Sequence, residues 1–244
     1  MRWRRRPPTD AGTPAVTPAA GIALRDVGHA YGDRVVLAGV SLTLGERRVG
    51  VIGANGSGKS TFARLLNGLV VPTSGTVRVD GLDTRTQARE VRRRVGFVFQ
   101  DPDAQIVHPT VAEDLAFGPR NQGLPDEEID RRVEEMLDRY ELAGHRDHPA
   151  HLLSGGQKQL LAIAGVLAMR PQRIVFDEPT TLLDLSNTRK VGRVIDELEQ
   201  DVVVVTHHLE LLSGFDRVLV VEDGRVVADG APGETLPWYV ARMD

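Results

Sequence analysis

From Ile22 onward, short β-branched runs alternate with longer segments in which apolar residues recur every three or four positions. The first kind reads as strand: "GIALRDV", "VSLTL", "RRVGVIG", "GTVRVDG" and "RVGFVFQ" in the first hundred residues, then "RIVFDE", "DVVVVTHH", "RVLVVEDG" and "RVVADG" near the C-terminus. "IVF" and "VVVV" show no polar alternation, as expected of strands covered on both faces in a parallel sheet. "VLVVEDGRVV" sets Asp-Gly between two β runs and predicts a hairpin. Between Val111 and Met169 the period lengthens, and "VAEDLAFG", "PDEEIDRRVEEMLDRYEL" and "GQKQLLAIAGVLAMR" predict helices. The pattern therefore predicts an α/β core, Ile22–Gln100 plus Arg173 to the end, with a mostly helical insertion. No internal repeat is visible.

Composition narrows the function classes. With 244 residues the chain can bury a sizeable interior as one large domain, or as a core with a modest insertion. A net charge of −4 gives no reason to expect nucleic acid as the main partner. Cysteine is absent, which excludes disulfides, thiolate catalysis and cysteine-ligated metals. Of 30 basic residues only Lys59, Lys158 and Lys190 are lysines, so a lysine inside a glycine loop reads as chosen for its compact point charge. The longest apolar run, Leu160–Met169, is about half of the ~20 residues a membrane span needs. The start, "MRWRRRPPTDAGTPAVTPAAG", has no apolar stretch of signal-peptide length. Its Pro, Thr, Ala and Gly content predicts a disordered tail over residues 1–20, with the arginines as a solvated charge run. These features predict a cytosolic protein, or a peripheral subunit of a membrane assembly.

The chemistry concentrates in a few stretches. "GVIGANGSGKSTFARLL" follows one strand and opens a helix, and Gly53–Ser60 fit the phosphate-loop pattern G-x-x-x-x-G-K-[ST] in the context that pattern requires. Gly53, Gly56 and Gly58 let the backbone turn tightly and aim its N–H groups at a β-phosphate. Lys59 would neutralise the β and γ oxygens, and Ser60 would offer a hydroxyl to Mg²⁺. Ala54, Asn55, Ser57 and Thr61 complete the loop and its exit. "RIVFDEP" ends a buried strand in Asp177 and Glu178, at the sheet edge where such folds bind ligands. Asp177 suits the acidic residue that holds Mg²⁺, and Glu178 one that orients and deprotonates a water attacking the γ-phosphate. "VVVVTHH" ends another strand in His207, within reach of a γ-phosphate, while His208 begins the next helix. His145, His148 and His151 are spaced like metal ligands, but Pro149 interrupts any helix that would align them, so no metal role is expected there. "HLLSGGQKQLL" forms a second glycine turn ahead of a helix, where backbone N–H groups could also converge on an anion.

Taken together, these stretches resemble one family, the ATP-binding cassette ATPases, from Ile22 to about Gly230. The resemblance rests on "GANGSGKS", the glutamine loop "FVFQDP" with Gln100, the signature "LSGGQ" at Leu153–Gln157, "RIVFDE", "TTLLD" and "VTHH", six motifs in the family's order. It implies an ABC-type nucleotide-binding domain over 21–244: a P-loop NTPase, RecA-like core with an antiparallel β subdomain (21–100 and 171–244) and a helical signature subdomain (about 101–170). It implies ATP and Mg²⁺ as ligands, Tyr31 in "HAYGD" stacking on adenine, and Gln100 joining Ser60 and Asp177 at the metal. It also implies that two chains close head to tail. Ser154, Gly155, Gly156 and Gln157 of one chain would bind the γ-phosphate held by Lys59 of the other, and Asp184 in "TTLLD" would lie along the seam. Glu178, His207 and Gln100 would serve hydrolysis.

Within the family, "FQDPDAQIVHPTVAEDLAFGPRNQGLP" resembles the matching stretch of energy-coupling-factor vitamin transporters, whose ATPase pair drives a transmembrane coupling subunit and a substrate-binding membrane subunit. "GERRVGVIGANGSGKSTFARLLNGLV" and "LSGGQKQLLAIAGVLA" look most like the biotin-uptake branch. "QLLA" in place of an arginine-containing "QRVA", and "TTLLD" in place of "SGLD" or "SALD", depart from the wider cassette pattern. The resemblance implies a peripheral ATPase at the cytoplasmic face of the membrane, paired with an identical or unlike cassette and with no nucleic acid partner. A cobalt or nickel importer, and a soluble cassette ATPase acting as an assembly factor, are the alternatives. Chromosome and DNA-repair ATPases of the superfamily split this domain with a long coiled coil, whereas only about sixty helical residues without sustained heptads intervene here.

Overall fold

The computed structural model describes residues 21–243, so the expected N-terminal tail lies outside the described residues. The chain opens with an antiparallel hairpin, β1 (Ile22–Tyr31) and β2 (Arg34–Leu44), followed by β3 (Arg48–Ile52) and α1 (Lys59–Leu66). Next come β4 (Ser74–Val79), β5 (Leu82–Asp83), α2 (Ala88–Arg94) and β6 (Val95–Val98). Three helices follow, α3 (Val111–Asn121), α4 (Asp126–Arg139) and α5 (Gly155–Ala168). The chain then returns through β7 (Arg173–Asp177), α6 (Leu185–Asp196), β8 (Asp201–Val205), β9 (Arg217–Glu222), β10 (Arg225–Gly230) and α7 (Pro232–Met243).

Two sheets result. One has four antiparallel strands in the order β2-β1-β4-β5; the other has six in the order β10-β9-β3-β8-β7-β6. In the larger sheet β9, β3, β8, β7 and β6 run parallel and β10 is antiparallel at the edge. The expected hairpin forms at Asp223 and Gly224, both at positive φ (46° and 73°), as a two-residue turn matched to strand twist requires.

The valine run of β8 shows why its sequence lacks alternation. Val203 and Val205 join α1 and the small sheet in one core, whereas Val202 and Val204 face a second core built with α3, α4, α5 and α6. The five parallel strands of this sheet are thus buried, whereas the edge strand β10 is not. Phe62, Leu65 and Leu66 of α1 fill the first core, so the helix that follows the phosphate loop is clamped between the two sheets. Among the described residues, no helix is long and apolar enough to cross a membrane.

Some boundaries differ from the pattern-based expectation. β1 runs on to Tyr31 and β2 begins at Arg34, because register shifts between Leu24 and Ala30 break the alternation on which the reading depended. The strand read to Gln100 ends at Val98, which leaves Gln100 in an exposed loop. His208 precedes a 3-10 turn, Leu209–Leu212, rather than a full helix.

Candidate functional site

β3 delivers the chain into the loop Gly53–Gly58, and α1 starts at Lys59. Gly58 has φ 106°, and a Cβ there would lie 2.7 Å from the Val36 carbonyl oxygen, so only glycine fits. The Lys59 ammonium folds back on the loop, donating to the carbonyls of Gly53 (2.9 Å) and Ala54 (3.0 Å). Burial pushes this ammonium below its ordinary pKa, against the opposing pull of Glu178 and Asp177. A polyanion entering the loop would add negative charge beside this buried cation.

Asp177 closes β7 and is 2% exposed. Its Oδ1 accepts from Ser60 Oγ at 2.9 Å, and Arg64 stands 3.7 Å from its other oxygen. Burial pushes the Asp177 carboxyl up despite these partners, so at both Lys59 and Asp177 desolvation outweighs mutual attraction. The contact of a hydroxyl with a carboxylate makes a hard oxygen donor set of the kind Mg²⁺ prefers.

Glu178 adopts φ 54°, the left-handed region that a non-glycine residue occupies at a cost, and its N–H donates to Val205 O at 2.9 Å. That twist turns the carboxylate away from the strand and into a small network. Oε1 lies 2.8 Å from His207 Nε2, and Oε2 accepts from Thr181 Oγ1 at 3.1 Å. His208 turns elsewhere, with Nδ1 2.8 Å from Thr180 Oγ1.

These groups surround a cavity of about 470 Å³. Asn55, Gly56, Gly58, Lys59, Ser60 and Thr61 of the phosphate loop line it together with Gln100, Glu178 and His207. Tyr31 is half-exposed on its lining, with its ring edge-to-face on His29 (centroids 4.6 Å apart). Asp177 sits behind Ser60 rather than on the lining. Gly53 and Ala54 act through their carbonyls, and the buried Ser57 hydroxyl has no partner among the described residues. Arg34, Val36 and Thr181 also line the cavity, and sequence reasoning missed all three. Arg34 pairs with Tyr31 across the β1–β2 hairpin, and Thr181 lies three residues past Glu178. A wider cleft of about 1070 Å³ beside α6, lined by Arg48, Arg193 and Phe215 among others, carries none of the expected site residues.

The signature turn stands apart, since none of Ser154, Gly155, Gly156, Gln157 and Asp184 lines the Lys59 cavity. Ser154 caps α5 in a reciprocal box: the Gln157 N–H donates to Ser154 Oγ (3.3 Å) and the Ser154 N–H to Gln157 Oε1 (2.9 Å). Two of the N–H groups that the sequence offered to an anion are therefore engaged within the turn. Gly156 packs against the Asn187 carboxamide, where any Cβ would collide. Asp184 holds Asn187 in turn, accepting from its N–H (2.8 Å) and from Nδ2 (3.1 Å). Asn187, which sequence reasoning missed, thus joins the signature and Asp184 into one half-exposed surface. His145, His148 and His151 do not line the Lys59 cavity either; the rings of His145 and His148 lie 5.6 Å apart, and His145 contacts Gln157.

Comparison with known proteins identifies the family. The family model described as ABC transporter matches residues 37–181. A putative ABC transporter ATP-binding protein of Deinococcus radiodurans is 61% identical over 222 residues, 91% of this chain and 98% of that protein. The biotin transport ATP-binding protein BioM of Rhizobium etli is 46% identical over 218 residues, 89% of this chain and 97% of that protein. The energy-coupling factor transporter ATP-binding protein EcfA1 of Symbiobacterium thermophilum is 48% identical over 231 residues, 88% of this chain and 80% of that protein. Among solved structures, cbiO1 of Clostridium perfringens, part of the ABC transporter complex cbiONQ, superposes with TM-score 0.79 at 34% identity, covering 92% of this chain and 94% of that one. A dimeric ATP-binding cassette in a post-hydrolysis state bound to ADP and Pi superposes with TM-score 0.76 at 31% identity, covering 86% of this chain and 98% of that one.

Proposed function

The chain belongs to the ABC transporter family, whose ATP-binding subunits hydrolyse ATP to power transport, and we propose that it works as one of two ATPase subunits at the cytoplasmic face of an energy-coupling-factor importer, with biotin as the leading cargo. The likeness to BioM and EcfA1 supports this choice of importer and cargo. The observation that carries the two-chain reading is a separation: Lys59, Ser60, Glu178, His207 and Gln100 share one cavity, while Ser154–Gln157 and Asp184 form a different surface. Half of the phosphate-binding equipment thus faces outward, toward a second cassette. In this reading residues 21–100 and 171–244 form the nucleotide-binding core, and 101–170 the helical subdomain that carries the signature.

ATP would lie with its base on Tyr31 and its phosphates in the loop 53–61, where the buried Lys59 meets the β and γ oxygens. Ser60 and Asp177, joined by Gln100, would hold Mg²⁺, which supplies neutralisation of phosphate charge when bound. Glu178 orients and deprotonates the attacking water. His207, 2.8 Å from its Oε1, fixes that carboxylate and reaches the γ-phosphate. ATP binding favours the closed pair because each nucleotide touches both chains, and hydrolysis removes the bridge.

Purification of the tagged full chain from detergent-solubilised membranes tests the transporter assignment. We expect a coupling subunit and a biotin-binding membrane subunit to co-purify. Recovery with no membrane protein would replace the importer by a soluble assembly ATPase, and a subunit selective for cobalt or nickel ions would reassign the cargo.

A further inference from the structure

The Gln157 side chain reaches beyond the turn it caps, and the atom on its far side fixes the chemistry of a histidine. Ser154 N–H can only donate, so the Gln157 atom 2.9 Å from it is the carboxamide oxygen. The NH2 group of the same amide then faces His145 Nε2 at 3.2 Å. An NH2 group has no lone pair to offer, so Nε2 is the acceptor of this contact in the tautomer that carries its proton on Nδ1. His145 Nδ1 is buried and has no hydrogen-bond partner among the described residues. The Gln157 carboxamide is thus the one side-chain hydrogen-bond partner of this ring among the described residues.

The backbone around His145 is held firmly enough for that acceptor to be placed. His145 ends the 3-10 turn Ala143–His145, with its N–H on Leu142 O (2.8 Å) and its carbonyl accepting from His148 N–H (2.9 Å). Leu142 is fully buried. The following residues are tied to the start of α3, where Val111 N–H donates to His148 O, Ala112 N–H to Arg146 O and Ala150 N–H to Pro109 O.

From this geometry we infer that His145 is a positioning residue for the signature turn: its Nε2 holds the Gln157 carboxamide, which in turn holds Ser154 in the conformation that meets a second chain's nucleotide. The inference rests on the two-chain reading given above. It assigns no contact between His145 and ATP, so it separates binding at the Lys59 site from closure of the pair.

The test uses the full chain in a Glu178→Gln background, measuring nucleotide affinity of the monomer and ATP-dependent association by sedimentation. His145→Phe keeps a planar ring but removes the acceptor, whereas His145→Gln restores a carboxamide oxygen. We expect His145→Phe to weaken association about 25-fold, one ordinary hydrogen bond at each of the two signature turns of a pair, with monomer affinity for ATP unchanged and with most of the loss recovered in His145→Gln. Unaltered association in His145→Phe would overturn the inference, as would equal loss in both variants, which would mark a packing role. Ser154→Arg, run in parallel, separates the two levels. Association that survives it overturns the two-chain reading and this inference with it, whereas association lost there but intact in His145→Phe overturns only the role of His145.

Discussion

Glu178 holds a backbone conformation that costs a non-glycine residue of the order of 1–3 kcal/mol, and it holds it beside the Lys59 cavity. The strain aims the carboxylate at His207 and Thr181 instead of along the strand. Replacing the carboxylate but not the backbone should therefore remove chemistry and leave binding. Glu178→Gln is expected to lower ATP turnover at least about a hundredfold, as loss of a general base does, with ATP affinity near that of the wild type. Steady-state hydrolysis alongside equilibrium binding checks this, and retained turnover would take Glu178 out of its role. Asp177 gives a pH-dependent counterpart. Its carboxyl is pushed up by burial, so the folded nucleotide-free chain favours the protonated form. The associated stability is fully present below the ordinary carboxylate pKa and is lost as pH rises through the raised value. Asp177→Asn should therefore raise the thermal midpoint of the nucleotide-free protein at neutral pH, and the gain should shrink as pH falls through the carboxylate range. A neutral-pH midpoint lowered by the substitution would contradict the assignment of burial as the dominant cause.

Elements carry the site through a few named joints. Gln105 accepts from Phe99 N–H (3.1 Å) just past β6 and donates to Ala162 O (2.7 Å) on α5, strapping the Gln100 loop to the signature helix. Lys158 adds a second tie from α5 to Asp103 at 2.7 Å. Gln105→Leu should cost about 1–2 kcal/mol in urea unfolding, because both partners lose a hydrogen bond in a half-buried place. At the start of α5, Gly156→Ala must displace Asn187 and should cost about 1–3 kcal/mol, whereas Gly155→Ala meets open space and should be close to neutral in the same measurement. The strands of the central sheet and the long helices were legible in the sequence because each buries a dense or strongly periodic apolar set. α2, α6 and α7 were not read, since α2 buries only Val91, α6 only Val191, Gly192 and Ile195, and α7 only Pro232 and Thr235. The phosphate loop, Asp177, Glu178 and the signature were legible because each is contiguous and its backbone setting is local. Arg34, Thr181 and Asn187 escaped because their roles arise from a hairpin pairing, a side-chain network and a helix contact that no local spacing encodes.

At the scale of the molecule, the Lys59 cavity and the signature turn are separate surfaces of one chain. The Lys59 cavity lies beside α1, which is locked between the sheets, and the signature surface lies at the joint of α5 and α6. In a single chain the signature does not line the phosphate-loop cavity, and under the proposed two-chain reading pairing would bring the two together. The most direct test mixes two defective chains, Lys59→Ala and Ser154→Arg, each in the Glu178→Gln background, and measures ATP retained by the associated pair. Neither variant alone should retain nucleotide in a closed pair. In the mixture, Lys59 of one chain faces Ser154 of the other at one of the two sites, so the account predicts restored association with a single ATP held per mixed pair. A mixture that stays as inactive as its components would contradict it, and would mean that each chain completes its own site.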